Sequence, residues 1–134
     1  MDVRQTVTQL YRAYESGDVA KILAGLPDNF RFEWESDRDT PPSYARACTT
    51  KHELAERIEE IADRFEFHSY RPMHILVDGD RAAAELQVEW TSKTTGQRFR
   101  ARVAHFWSFE DGIPVSLVEY MDTALIASQT ADER

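Results

Sequence analysis

The spacing of apolar residues changes along the chain, and each change marks a new kind of element. Val3, Val7, Leu10, Tyr11 and Tyr14 recur at helical spacing, which lays one apolar stripe along a helix. Gly17 suits the left-handed position past its end. Asp18 suits the N-cap of a second, short helix carrying Val19, Ile22, Leu23 and Leu26. Pro27-Asp28-Asn29 predicts a turn. Phe30, Phe32 and Trp34 then alternate with Arg31, Glu33 and Glu35, the pattern of a half-buried strand. Residues 36–49 have no period, and Pro41-Pro42 excludes a regular ladder there. They predict a long loop, of a length that often forms a lid. Thr50-Lys51-His52-Glu53 reads as a capping box that opens a helix. The stripe of that helix is Leu54, Ile58, Ile61, Ala62 and Phe65.

From residue 70 the period is two. Met73, Ile75 and Val77 form one strand face, and Gly79-Asp80 is a hairpin signal. Pairing Asp78 with Arg81 sets Val77 opposite Ala82, Ile75 opposite Ala84 and Met73 opposite Leu86, so the apolar faces match as register requires. A turn at residues 93–96 sets Trp90 opposite Phe99 and Ala84 opposite His105. A loop from Glu110 to Ile113 sets Trp107 opposite Ser116, His105 opposite Val118 and Ala101 opposite Asp122. This scheme gathers Phe99, Ala101, Val103, His105, Trp107 and Phe109 on one face, together with Val118, Tyr120 and Asp122 of the last strand. The other face collects Glu85, Gln87, Glu89, Arg98, Arg100 and Arg102, with Glu89 opposite Arg100. Helices first and sheet later predict an α+β fold. Its antiparallel sheet curves around the N-terminal helices and leaves a pocket between them.

With 134 residues the chain is expected to form one domain over residues 1–134. A net charge of −8 argues against a nucleic-acid partner, which calls for a basic stripe. Cys48 is the single cysteine, so no internal disulfide is possible, in keeping with a reducing compartment. No apolar run is long enough to span a membrane, and Met1 leads directly into polar residues with no signal-peptide pattern. The expectation is a cytoplasmic protein without a nucleic-acid or membrane partner. No His/Cys/Asp/Glu cluster has metal-ligand spacing, and no glycine-rich phosphate loop or nucleophile elbow is present. No metal or cofactor is expected.

Four stretches carry a family resemblance: Ser16-Gly17-Asp18 after the opening helix, Leu26-Pro27-Asp28-Asn29-Phe30, Val77-Asp78-Gly79-Asp80-Arg81-Ala82, and residues 105–112 with Glu119-Tyr120-Met121-Asp122-Thr123. Together they resemble the nuclear-transport-factor-2-like superfamily, and within it the SnoaL-like and ketosteroid-isomerase-like proteins. The resemblance implies a cone-shaped pocket within that sheet and a homodimer packed through the outer sheet face. It also implies acid–base chemistry on a small hydrophobic carbonyl compound, of isomerase or cyclase type. A dehydratase and a non-catalytic binding module of the same fold are the alternatives. Asp122 resembles the acid–base aspartate of the polyketide cyclases. His105 lies where the isomerases place an oxyanion-binding acid, and Tyr14 or Tyr11 matches their oxyanion-binding tyrosine. The early strand has Trp34 where an isomerase carries its basic carboxylate.

Each candidate also has a structural reading. Asp122 before Thr123-Ala124-Leu125 suits a helix N-cap, and a lone histidine on an apolar face is often a satisfied core residue. Tyr11, Trp34, Phe65, Trp90, Trp107 and Tyr120 are the candidate ligand-binding residues, and each would equally fill a core. His52 and His68 read as surface, and Cys48 as a stray thiol in the loop. In the scheme above His105 and Asp122 stand four residues apart, about 13 Å along the strand, so they are expected at two ends of a ligand rather than as a dyad.

Overall fold

The computed structural model describes residues 2–35, 47–122 and 125. The loop expected over residues 36–49 therefore lies largely outside the described residues, as does the C-terminal tail. The elements in chain order are α1 (Val3–Ser16), α2 (Val19–Ala24), β1 (Arg31–Glu35), α3 (Lys51–Arg64), β2 (Phe65–Asp78), β3 (Arg81–Ser92), β4 (Arg98–Glu110) and β5 (Ile113–Tyr120). Local chemistry sets the helix ends. Asp2 and Gln5 form a reciprocal capping box at the start of α1, and Gly17 closes that helix at φ 72°, where a β-carbon would be strained. Asp18 caps α2 through Lys21 N at 3.1 Å. Thr50 caps α3 through Glu53 N, while the Glu53 carboxylate reaches Thr49 N instead of completing a box with Thr50.

The five strands form one curved, unclosed sheet in the order β1-β5-β4-β3-β2. Neighbours are antiparallel except β1, which runs parallel to β5. Leu86, Val88, Trp90, Val103, Trp107 and Leu117 of the inner face pack against Val7, Leu10 and Tyr11 of α1, Ile22 of α2 and Leu54 of α3. Each such side chain stabilises the fold by about 1.5–3 kcal/mol through removal from water. This core seats α1 across the sheet and brings its tyrosines over β4.

The expected pairing of β3 with β4 is observed throughout, including Ala84 opposite His105 and Trp90 opposite Phe99. Elsewhere β-bulges alter the scheme. In β2 the register shifts between Phe67 and Ser69 and again between Pro72 and His74. Val77 and Ile75 keep their expected partners, but Pro72 rather than Met73 lies opposite Leu86. Met73 is the extra residue and is exposed. Proline lacks the ladder's N–H and is at home beside a bulge, and each bulge bends the strand and increases its twist. The two shifts keep Phe65, Phe67, Tyr70, Pro72, Ile75 and Val77 opposite the inward-facing residues of β3. Phe65 starts this strand instead of ending the helical stripe.

The bulge that matters most joins β4 to β5. Glu110 pairs with Ile113 and Phe109 with Pro114, as expected from the hairpin. The register then slips by one, so Ser108 pairs with Ser116, Trp107 with Leu117 and His105 with Glu119. A one-residue slip exchanges the two faces of a strand. Leu117 and Glu119 therefore point to the inner side, and Val118 and Tyr120 to the outer one. Cys48 is also not a stray surface thiol. It is buried and bridges β1 through paired backbone hydrogen bonds with Phe32, each 2.8 Å long.

Candidate active site

The slip brings together residues from four elements. His105 on β4 is 0% exposed. Its Nε2 lies 2.7 Å from Glu119 Oε1 on β5, and its Nδ1 lies 2.8 Å from the Tyr11 hydroxyl on α1. Trp107 Nε1 donates to that same hydroxyl at 2.8 Å. The Tyr70 hydroxyl on β2 donates to Glu119 Oε1 at 3.0 Å and stands 3.2 Å from His105 Nε2. Tyr14 of α1 stacks on Tyr70 with ring centroids 5.0 Å apart and planes 14° apart.

Proton positions follow from the donors and acceptors available. An indole N–H only donates, so Tyr11 oxygen accepts from Trp107. The Tyr11 proton then has His105 Nδ1 as its acceptor. That makes the imidazole neutral, with its proton on Nε2 and directed at Glu119. An imidazolium would present a second donor to Tyr11 and leave the buried Tyr11 proton without an acceptor among the described residues. The chain therefore runs from Trp107 through Tyr11 and His105 to Glu119, with Tyr70 joining at the same carboxylate oxygen. Among the described residues, neither Glu119 Oε2 nor the Tyr14 hydroxyl has a hydrogen-bond partner.

The tyrosines are held as donors. Burial pushes Tyr11 well above the usual phenol pKa, and it outweighs the opposing hydrogen bond from Trp107. Burial raises Tyr14 and Tyr70 too, and the Glu119 charge adds to it in both. All three therefore keep their protons at neutral pH. The Glu119 side chain is 16% exposed, so the carboxylate is the link of this chain that reaches toward solvent.

The expected site residues divide into two groups. Tyr11, Tyr14, His105 and Trp107 come together, and Trp34 joins them by pairing with Glu119 across β1 and β5. Asp122, Tyr120, Phe65 and Trp90 do not. Asp122 is exposed, and its Oδ1 accepts from Leu125 N at 3.1 Å, the arrangement of an N-cap. Tyr120 is 46% exposed on the outer face, with its ring edge-to-face against Phe106. Trp90 stacks on Phe99 and lies six residues along β3 from the partner of His105, about 20 Å away. Phe65 sits at that same distant end, opposite Ser92. The residues missing from the sequence reading are Glu119 and Tyr70. Both lie one position out of simple alternation, behind a bulge. Prolines at 114 and 72 were the available signals.

A shallow cavity of about 310 Å³ opens on the outer face, lined by Glu85, Arg102 and Tyr120 among others. It lies across the sheet from His105 and is no part of this site. Among the described residues no three His, Cys, Asp or Glu side chains gather as metal ligands, and no helix is long and apolar enough to cross a membrane.

Helices seated across a curved, unclosed sheet give the chain the nuclear-transport-factor-2-like fold. Residues 7–116 match the profile of the SnoaL-like domain, and the chain belongs to that family. An NTF2-like protein from Burkholderia thailandensis superposes with TM-score 0.85 at 20% identity, covering 97% of this chain and 98% of that one. A candidate polyketide cyclase from Pseudomonas putida gives TM-score 0.77 at 20% identity, covering 96% and 98%. A candidate isomerase from Bacillus subtilis gives 0.79 at 16%, covering 98% and 94%. At these identities the likeness is one of fold. Comparison with curated proteins gives no match.

Proposed function

We propose that the protein is an acid–base enzyme of isomerase or cyclase type, acting without a cofactor on a small hydrophobic carbonyl compound. One observation carries this reading. A carboxylate on the inner face is held through one oxygen by two donors, while its second oxygen and the nearby Tyr14 hydroxyl have no partner among the described residues. In the proposed reaction Glu119 Oε2 takes the proton from the carbon beside the carbonyl. The C–H electron pair forms the enolate, and Tyr14 donates a hydrogen bond to its oxygen. Returning the proton to another carbon completes an isomerisation. Attack of the enolate carbon on a second carbonyl of the same molecule, with the proton passing to the new alkoxide, completes a cyclisation. His105 steadies the base through its Nε2–H, and Tyr11 fixes the tautomer. The likeness to a candidate polyketide cyclase and a candidate isomerase supports this class of chemistry.

The test is deuterium uptake from D₂O by a panel of ketones. Wild-type exchange that Glu119→Gln abolishes is the expected result. No wild-type exchange with any ketone would count for the second reading, a binding module of the same fold. That reading draws on His105 being fully buried with both ring nitrogens occupied. The outer sheet face is the proposed homodimer contact, a role supported by the half-exposed Phe106 and Tyr120.

A further inference from the structure

We propose that Tyr70 is a positioning residue that decides which oxygen of Glu119 reacts and aligns the base with the group that receives the substrate oxygen. The inference rests on Glu119 being the base. The Tyr70 hydroxyl and His105 Nε2–H both end on Oε1, at 3.0 and 2.7 Å. Two donors on one oxygen stop the carboxylate from turning and concentrate its available lone pairs on Oε2. The face of the Tyr70 ring meanwhile carries Tyr14, at 5.0 Å and 14° between planes. One side chain thus touches the base through its hydroxyl and the oxyanion donor through its ring. Removing the hydroxyl alone separates these two tasks, because the stack survives in phenylalanine.

The titratable groups facing Glu119 are His105 from β4, Tyr70 from β2, and Tyr11 and Tyr14 from α1. Among the described residues Tyr70 and His105 alone bond the carboxylate. Loss of the Tyr70 hydroxyl leaves one donor on Oε1 and frees the carboxylate to turn. The experiment compares Tyr70→Phe with wild type in two ways. Ketone exchange is resolved into kcat and KM, and the Glu119 carboxyl carbon is observed by NMR in the ligand-free protein. Tyr14→Phe serves as a spectral control that also reports whether the fold tolerates loss of a stacked hydroxyl. The expected result is a tenfold or larger fall in kcat with little change in KM. The Glu119 carboxyl resonance also moves in Tyr70→Phe, while Tyr14→Phe leaves it in place. An unmoved resonance or an unchanged kcat in a folded Tyr70→Phe protein overturns the proposal. A moved resonance combined with full activity of Glu119→Gln upholds the Tyr70–Glu119 coupling and removes the base assigned above.

Discussion

Replacing Tyr11 with phenylalanine tests the buried hydrogen-bond chain without touching the proposed base. The ring would stay against its neighbours, 5.7 Å from the His105 ring and 5.9 Å from that of Trp107. What disappears is one oxygen that accepts from Trp107 Nε1 and donates to His105 Nδ1, both at 2.8 Å. Trp107 is 1% and His105 0% exposed, so water has no ready route to replace it. A buried group left unpaired costs about 1–3 kcal/mol. The two losses share one network and do not simply add, so about 3 kcal/mol is expected. That is a large part of the 5–15 kcal/mol typical of a whole domain, and corresponds to a fall of roughly 10 °C in Tm. Urea unfolding followed by far-UV circular dichroism measures it, with an unchanged m-value showing that the same surface unfolds. Nitrogen NMR of wild type should find His105 Nδ1 unprotonated and Nε2 protonated. A loss below about 0.5 kcal/mol, or a proton on Nδ1, refutes the assigned order of donors and acceptors.

Asp122→Ala removes an exposed helix cap and should cost about 1 kcal/mol in urea unfolding while leaving ketone exchange intact; loss of exchange would return the chemistry to Asp122. The pH dependence follows from the raised tyrosines. Tyr11, Tyr14 and Tyr70 stay neutral in the fold, whereas in the unfolded chain they ionise near pH 10. Their contribution is therefore fully present below about pH 10 and is lost above it, by up to about 1.4 kcal/mol per pH unit for each tyrosine. Urea titrations between pH 9 and 11 on wild type and Tyr11→Phe should show a shallower alkaline fall in the variant; equal slopes would contradict it. Phe106→Arg places a charge in the proposed dimer contact and should convert a dimer to a monomer in sedimentation equilibrium, and an unchanged mass would place the contact elsewhere.

Much of the fold was legible because two periods dominate the pattern. The α1 stripe, its Gly17 stop and the pairing of β3 with β4 all follow from local rules, and the structure keeps them to the residue. The site was less legible because strand alternation propagates any single slip. The β4–β5 hairpin register holds as far as Phe109 and Pro114, and one extra residue in β5 then carries the acid beside His105 from outside to inside. Without that slip the buried face receives Val118, Tyr120 and Asp122. With it the face receives Leu117 and Glu119, and a dyad replaces two separated groups. The same logic hid Tyr70 behind the shift near Pro72. Periodicity identifies which residues share a face only between bulges, and here the bulges fall beside the polar groups that matter. The parallel pairing of β1 with β5 is a long-range contact with no local signal, and it sets Trp34 next to Glu119.

The most direct measurement is ketone deuterium exchange with Glu119→Gln and Asp122→Asn compared side by side in folded protein. Glutamine keeps the shape of the side chain and removes its ability to take a proton. If Glu119 is the base, its variant loses exchange by at least a hundredfold while Asp122→Asn keeps the wild-type rate. Exchange that survives in Glu119→Gln, or that disappears in Asp122→Asn, contradicts the assignment of proton transfer to the His105–Glu119 pair.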